Sequence, residues 1–153
     1  MRDIDPDELL DKICPADNRG KLGEFARRYY LDLIIIFGSY AKGYNRSYSD
    51  VDVAVRSLKY GWRDGEQRED WEWEMSLMED LAGVLRGDID MVVLNRATPL
   101  LLFEVASGGI PLYQRDEHSF MKFQSYAARR YDDNQKFFKL QLEYLKKKYG
   151  IER

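Results

Sequence analysis

The sequence predicts an α/β (α+β) chain in which a small mixed sheet is flanked by helices and followed by one long C-terminal helix. Three observations carry this. Apolar runs of strand length near 31–37, 50–56 and 88–94 alternate with segments whose apolar residues recur every three or four positions. Glycine or proline marks many of the junctions between them. The last segment, about 116–149, sustains a single apolar stripe too long for anything but a helix.

Taken in order, residues 6–13 read as a short helix opened by Pro6 and ended near Pro15, because proline fits a first turn and stops a last one. Residues 17–30 read as a second helix, with Leu22, Phe25, Ala26 and Tyr29 on one face. Residues 31–37 form a buried strand, and the Gly38-Ser39 turn leads into a short helix at 40–43. A second strand covers 50–56 and is followed by a polar loop from Ser57 to Gln67. Residues 67–86 are expected to be helical, burying Trp71, Met75, Met78, Ala82 and Leu85 with Trp73, Leu77 and Leu81 beside them, and closed by Gly87. A third strand runs from Asp88 to Leu94. Thr98 caps a helix that extends through Ser107, with Pro99 at its first position. Pro111 to Gln114 is a short edge strand. The closing helix carries Phe120, Phe123, Ala127, Tyr131, Phe138, Leu142, Leu145 and Tyr149, and its Lys146-Lys147-Lys148 suits a C-terminal dipole. Its first half is expected to seat on the core. Its second half is left with an apolar stripe that the chain itself does not cover.

Composition narrows the function. A chain of 153 residues is read as one minimal domain over 1–153, its core about 17–115 and its final helix about 116–149. The net charge of −3 argues against a general nucleic-acid binder, so no direct nucleic-acid binding is expected. One cysteine, Cys14, allows no intrachain disulfide and suits a reducing cytoplasm. No apolar run is long enough for a membrane span, and Met1-Arg2-Asp3-Ile4-Asp5 is too polar to begin a secretory signal. The single histidine, His118, rules out a histidine-based zinc cluster and is expected to cap a helix. Oxygen ligands remain, which means magnesium or manganese.

The informative segment runs from Phe37 to Val55. An apolar strand ends in Gly38-Ser39, and ten residues later a second strand opens with Asp50 and Asp52. Side chains alternate along a strand, so both aspartates share a face while Val51, Val53 and Val55 take the other. Their Cα atoms stand ~6–7 Å apart, close enough to share one or two cations. Like charges so placed repel unless a cation neutralises them. A Gly-Ser turn beside such a pair is a phosphate cradle next to a metal site. Asp88 and Asp90 form another pair ahead of the third apolar run; Asp88 reads as an exposed residue leading into the strand.

This segment resembles the GSX10DXD signature of the DNA polymerase β-like nucleotidyltransferases. It is most similar to the small MNT-type proteins, the antitoxin halves of HEPN/MNT toxin–antitoxin pairs. Gly38-Ser39-Tyr40-Ala41-Lys42-Gly43 resembles the family's Gly-Ser-Arg-Ala-Arg-Gly, and Ser49-Asp50-Val51-Asp52 its Ser-Asp-Ile-Asp. Asp90 to Asn95, Pro99 to Val105 and Gly108 to Tyr113 resemble the stretches that follow. Tyr40, Lys42 and a Trp-rich insert at 57–74 depart from the pattern.

The resemblance implies a polymerase β-like fold and a magnesium-dependent nucleotidyl transfer. Gly38, Ser39 and Arg46 would hold the nucleotide, ATP. Asp50, Asp52 and Asp90 would be both the catalytic acids and the ligands of two Mg2+ ions. It further implies a protein adenylyltransferase that moves AMP to a tyrosine of a HEPN ribonuclease toxin. The toxin or a second copy would be held through the C-terminal helix. Two alternatives stand beside it: an antitoxin that only binds, and a small-molecule, antibiotic-type nucleotidyltransferase. Trp62, Trp71 and Trp73 could stack a base, but at helical spacing Trp71 and Trp73 read as core or interface.

Overall fold

The computed structural model describes residues 5–43, 50–62, 70–85 and 87–150. Its elements are α1 (Pro6–Ile13), α2 (Arg19–Arg28), β1 (Leu31–Phe37), α3 (Gly38–Lys42), β2 (Val51–Ser57), α4 (Trp71–Val84), β3 (Ile89–Val93), α5 (Pro99–Gly108), β4 (Ile110–Gln114) and α6 (Ser119–Tyr149). The four strands form one mixed sheet in the order β3-β2-β1-β4. β1 is antiparallel to both neighbours, whereas β2 and β3 run parallel. The parallel pair requires a crossover, and α4 supplies it.

The sheet is buried on both faces, which explains why β1 is an unbroken apolar run after Asp32. On one face Ile34, Ile36, Val51, Val53 and Val55 meet Leu9 and Ile13 of α1, Leu22 and Phe25 of α2, and Leu77 and Leu81 of α4. On the other, Leu33, Ile35 and Ala54 meet Leu102 and Val105 of α5 and Phe123 and Ala127 of α6. Capping follows the sequence: Asp5 accepts from the Asp7 amide at 3.1 Å, and Thr98 Oγ1 from the Leu101 amide at 3.3 Å. His118 holds the cap position of α6, but its side chain caps nothing and turns to Glu117.

One expectation is corrected. α4 spans Trp71–Val84 with Asp70 as its cap, residues 67–69 and 86 of the expected helix lying outside the described residues; it buries Leu77 and Leu81, with Leu85 just past its end. Trp71, Met75 and Met78 are 62%, 50% and 38% exposed, so the predicted Trp71–Met75–Met78 face points outward. The helix carries two apolar stripes, and the valines of β2 select the one that continues from Trp73. Half-buried Trp73 meets Tyr29 and Tyr60 edge-on, which fixes that choice.

Candidate active site

The strand pairing draws three chain segments to one edge of the sheet. Phe37, the last residue of β1, lies opposite Asp52 of β2, and Asp52 lies opposite Asp90 of β3. Residues paired across strands share a face, so Asp52 and Asp90 both project toward the layer built by α5 and α6. The Val51 amide donates to the Asp88 carbonyl at 2.9 Å and anchors the start of the parallel pair. Asp50 stands two residues before Asp52, exposed at the mouth of this edge. Asp52 is half-buried; Asp88 and Asp90 are exposed.

Gly38 closes the row from the β1 side. Its φ is +70°, and a Cβ there would lie 2.1 Å from Asp52 Oδ2 and 3.0 Å from its Cγ. Both the left-handed backbone and the close approach therefore demand glycine. Ser39 follows in the first turn of α3, half-buried, and Lys42 ends that helix with its stem against the end of α5 at Gly108. Arg46 lies outside the described residues.

The electrostatics follow from this crowding. Burial, first, and then the charges of Asp90, Asp50 and Glu104 push the Asp52 carboxyl above its ordinary value. Glu104 projects from α5, an otherwise apolar helix, and the sequence reading gave it no role; a lone acid in so apolar a stretch is the signal that marks it. These carboxylates feel one another's charge without being gathered. Among the described residues no three His, Cys, Asp or Glu side chains are arranged to hold a metal ion. The donor set is all oxygen, as a hard cation requires, and the charge that raises Asp52 is what a cation would neutralise.

The tryptophans do not form a platform at this edge. Trp62 stacks on Tyr126 of α6 with ring centroids 4.2 Å apart, and the Arg56 guanidinium lies over the Trp62 ring, 4.1 Å from its centroid. It is a pillar between the loop after β2 and α6. Asn95, which the sequence reading also left without a role, holds that loop in place. It is only 5% exposed; its Oδ1 accepts from the Ser57 amide at 2.9 Å, and its Nδ2 donates to the Ser57, Tyr60 and Gly61 carbonyls at 2.9, 2.8 and 3.2 Å. A depression of about 320 Å³ lined by Lys21, Glu24, Phe25, Arg28 and Val84 lies between α2 and α4, on the opposite side of the sheet from the carboxylates.

A family model described as polymerase beta, nucleotidyltransferase matches residues 20–118. The chain is 36% identical over 92 residues to the protein adenylyltransferase MntA of Shewanella oneidensis, covering 59% of this chain and 60% of that protein. It thus spans less than two thirds of that relative's length. A crystal structure of a toxin–antitoxin with AMP-PNP superposes with a TM-score of 0.59 at 25% identity, over 84% of this chain and 98% of the other. A tri-AMPylated Shewanella oneidensis HEPN toxin in complex with MNT antitoxin gives a TM-score of 0.57 at 25% identity, over 84% and 95%.

Proposed function

The chain belongs to the polymerase beta nucleotidyltransferase family, and from that premise we propose that it is an antitoxin that transfers AMP from ATP to a tyrosine of a HEPN-type toxin. The observation that carries this is the row Gly38, Asp52, Asp90, in which a glycine pressed on one carboxylate lies beside a second in register. A chain that only bound its partner would gain nothing from holding the Asp52 carboxyl in a half-buried place beside other acids, where burial and their charges push it above its ordinary value. The likeness to an adenylyltransferase and to toxin–antitoxin complexes supports the same reading over a small-molecule acceptor.

In this reading the backbone amides of Gly38 and Ser39, with the Ser39 hydroxyl, hold the triphosphate, and Arg46 adds a positive charge. Asp50, Asp52 and Asp90 would hold two Mg2+ ions. Magnesium there would supply the positive charge that neutralises the triphosphate and the charge developing at the reacting phosphorus. Asp90 also accepts the proton of the attacking tyrosine hydroxyl, which displaces pyrophosphate in line and forms a phosphodiester to AMP. The domain acts as one minimal unit, and the toxin brings the acceptor that a larger enzyme would bind in a second domain. Neither a membrane nor nucleic acid takes part. No helix among the described residues is long and apolar enough to cross a membrane, and a cytoplasmic setting supplies ATP and keeps buried Cys14 a thiol.

Incubation with labelled ATP, Mg2+ and the HEPN-type toxin tests the reading. Label is expected on a toxin tyrosine and is expected to vanish with Asp50→Asn or Asp52→Asn. Toxin neutralised without label would establish binding alone.

A further inference from the structure

α5 crosses the sheet on the face that carries Asp52 and Asp90, and it buries Leu102, Val105 and Ala106. Its contacts fix what lies on either flank. On one side the Lys42 stem reaches Gly108. That is the catalytic side, because Lys42 stands one turn after Gly38 in α3. On the other side Phe103 stacks on Tyr131 of α6 with centroids 4.1 Å apart, and the Ala106 carbonyl accepts from Gln124 Nε2 at 3.1 Å. At about 100° per residue Glu104 falls beside Gly108, while Leu100 and Ser107 fall between Glu104 and Phe103. A single strip therefore runs over the outer face of α5 from the carboxylate row to α6, acidic at its near end and apolar beyond. Leu100 and Phe103 are 64% and 37% exposed. The strip ends at Tyr131, where α6 leaves the body; from Asp132 onward every described residue of that helix is exposed.

Glu104 differs from the other acids of the site. It stands on a helix, outside the register row, yet its charge acts on Asp52. The described charges along this rim are Asp50, Asp52, Asp88, Asp90 and Glu104, with Lys42 set against them. At the α6 end, Asp132 pairs with Lys136 of its own helix at 3.4 Å and is thereby offset. In the transfer reading the charges of two Mg2+ ions and of ATP cancel, so the loaded rim keeps the sign of its own side chains. That sign is negative even with Arg46 counted. A tyrosine hydroxyl is separated from its backbone by one side chain, so the segment that delivers it to the row must lie against this rim. Charge complementarity asks for a basic residue close to that tyrosine, and the apolar part of the strip asks for apolar side chains farther along.

We propose that the outer face of α5 docks the toxin segment carrying the acceptor tyrosine. Glu104 takes a Lys or Arg beside that tyrosine, and Leu100 and Phe103 receive apolar side chains beyond it. This rests on the transfer reading above and names the chemistry of its acceptor.

Transfer from labelled ATP, followed at varied toxin concentration with Mg2+ present, tests the surface. Glu104→Lys and Leu100→Asp should each raise the KM for the toxin about tenfold, with kcat nearly unchanged and ATP affinity by calorimetry not reduced. Glu104→Gln should flatten the salt dependence of kcat/KM, which a merely structural role would not do. Met75→Lys, on the exposed side of α4 across the sheet, should change none of these. Exchanging for Glu the toxin's Lys or Arg nearest the labelled tyrosine should restore transfer by Glu104→Lys. A toxin KM indifferent to Glu104→Lys and Leu100→Asp overturns the proposal. So does a labelled tyrosine with no basic neighbour, or a loss of ATP affinity in Glu104→Lys, which would give Glu104 to the nucleotide. A parent chain that transfers nothing strikes the transfer reading alone, because toxin affinity in the Asp50→Asn background still judges the surface. Adding Glu104→Lys there should weaken toxin binding about tenfold, and an unchanged affinity overturns the proposal.

Discussion

Replacing Asp52 with Asn should stabilise the metal-free protein while abolishing transfer. Asn keeps the size and shape that Gly38 is pressed against, so packing is conserved and only charge changes. Asp52 and Asp90 are register partners on neighbouring strands, about 4.8 Å apart. Two unit charges at that distance repel by about 1 kcal/mol in water-like surroundings and by about 3 kcal/mol at an effective dielectric near 20. Asp90 and Asp50 are exposed, so solvent screening favours the lower figure. A gain of about 1 kcal/mol, or about 3 °C in melting temperature, is expected at neutral pH. The pH dependence has a definite sign. The folded state holds the Asp52 proton more tightly than the unfolded state does, so the cost of the carboxylate is absent below the ordinary carboxylate range and grows as pH rises through the raised native value. Urea denaturation of parent and variant should therefore give curves that coincide at acid pH and separate toward neutrality. A variant less stable than the parent at neutral pH, or a gap that ignores pH, would refute the argument.

Three further outcomes follow from the same geometry. Gly38→Val should cost about 1–2 kcal/mol of stability, because its φ of +70° disfavours a side chain, and should weaken ATP binding at least tenfold by calorimetry; unchanged affinity would put the nucleotide elsewhere. Asn95→Ala strips partners from the buried Ser57 amide and carbonyl and should cost about 3 kcal/mol; a loss below about 1 kcal/mol by urea titration would mean water replaces the amide. Chelation of magnesium should stop AMP transfer and its restoration should revive it, whereas a zinc-selective chelator should have no effect on labelled-ATP incorporation.

Much of the fold was legible because single elements announce themselves. Leu31–Phe37 is apolar throughout after Asp32, and Thr98-Pro99 opens α5 as a cap and first turn should. α4 was misread for a physical reason: its two stripes are equally apolar, and only the sheet surface decides which is covered. Asn95 was illegible because its partners lie 34 to 38 residues earlier and are mostly backbone carbonyls. At the site, Asp52 takes the face of β2 that strand alternation assigns it, whereas Asp50, expected to open that strand, precedes its first residue Val51. That Asp52 faces Asp90 across a parallel pair does not follow from either local pattern, and neither does the charge that Glu104 of α5 exerts on Asp52.

The row through Phe37, Asp52 and Asp90 is set by backbone pairing and not by a loop. Its geometry is thus quantised. Adding or deleting one residue inside Val51–Val55 would turn the valines to where the carboxylates belong and drive an aspartate into the layer with Leu77 and Leu81. Chemistry and fold would be lost in the same step. A lineage shedding its transferase activity while keeping its shape can do so by exchanging side chains, but not by changing the length of this strand.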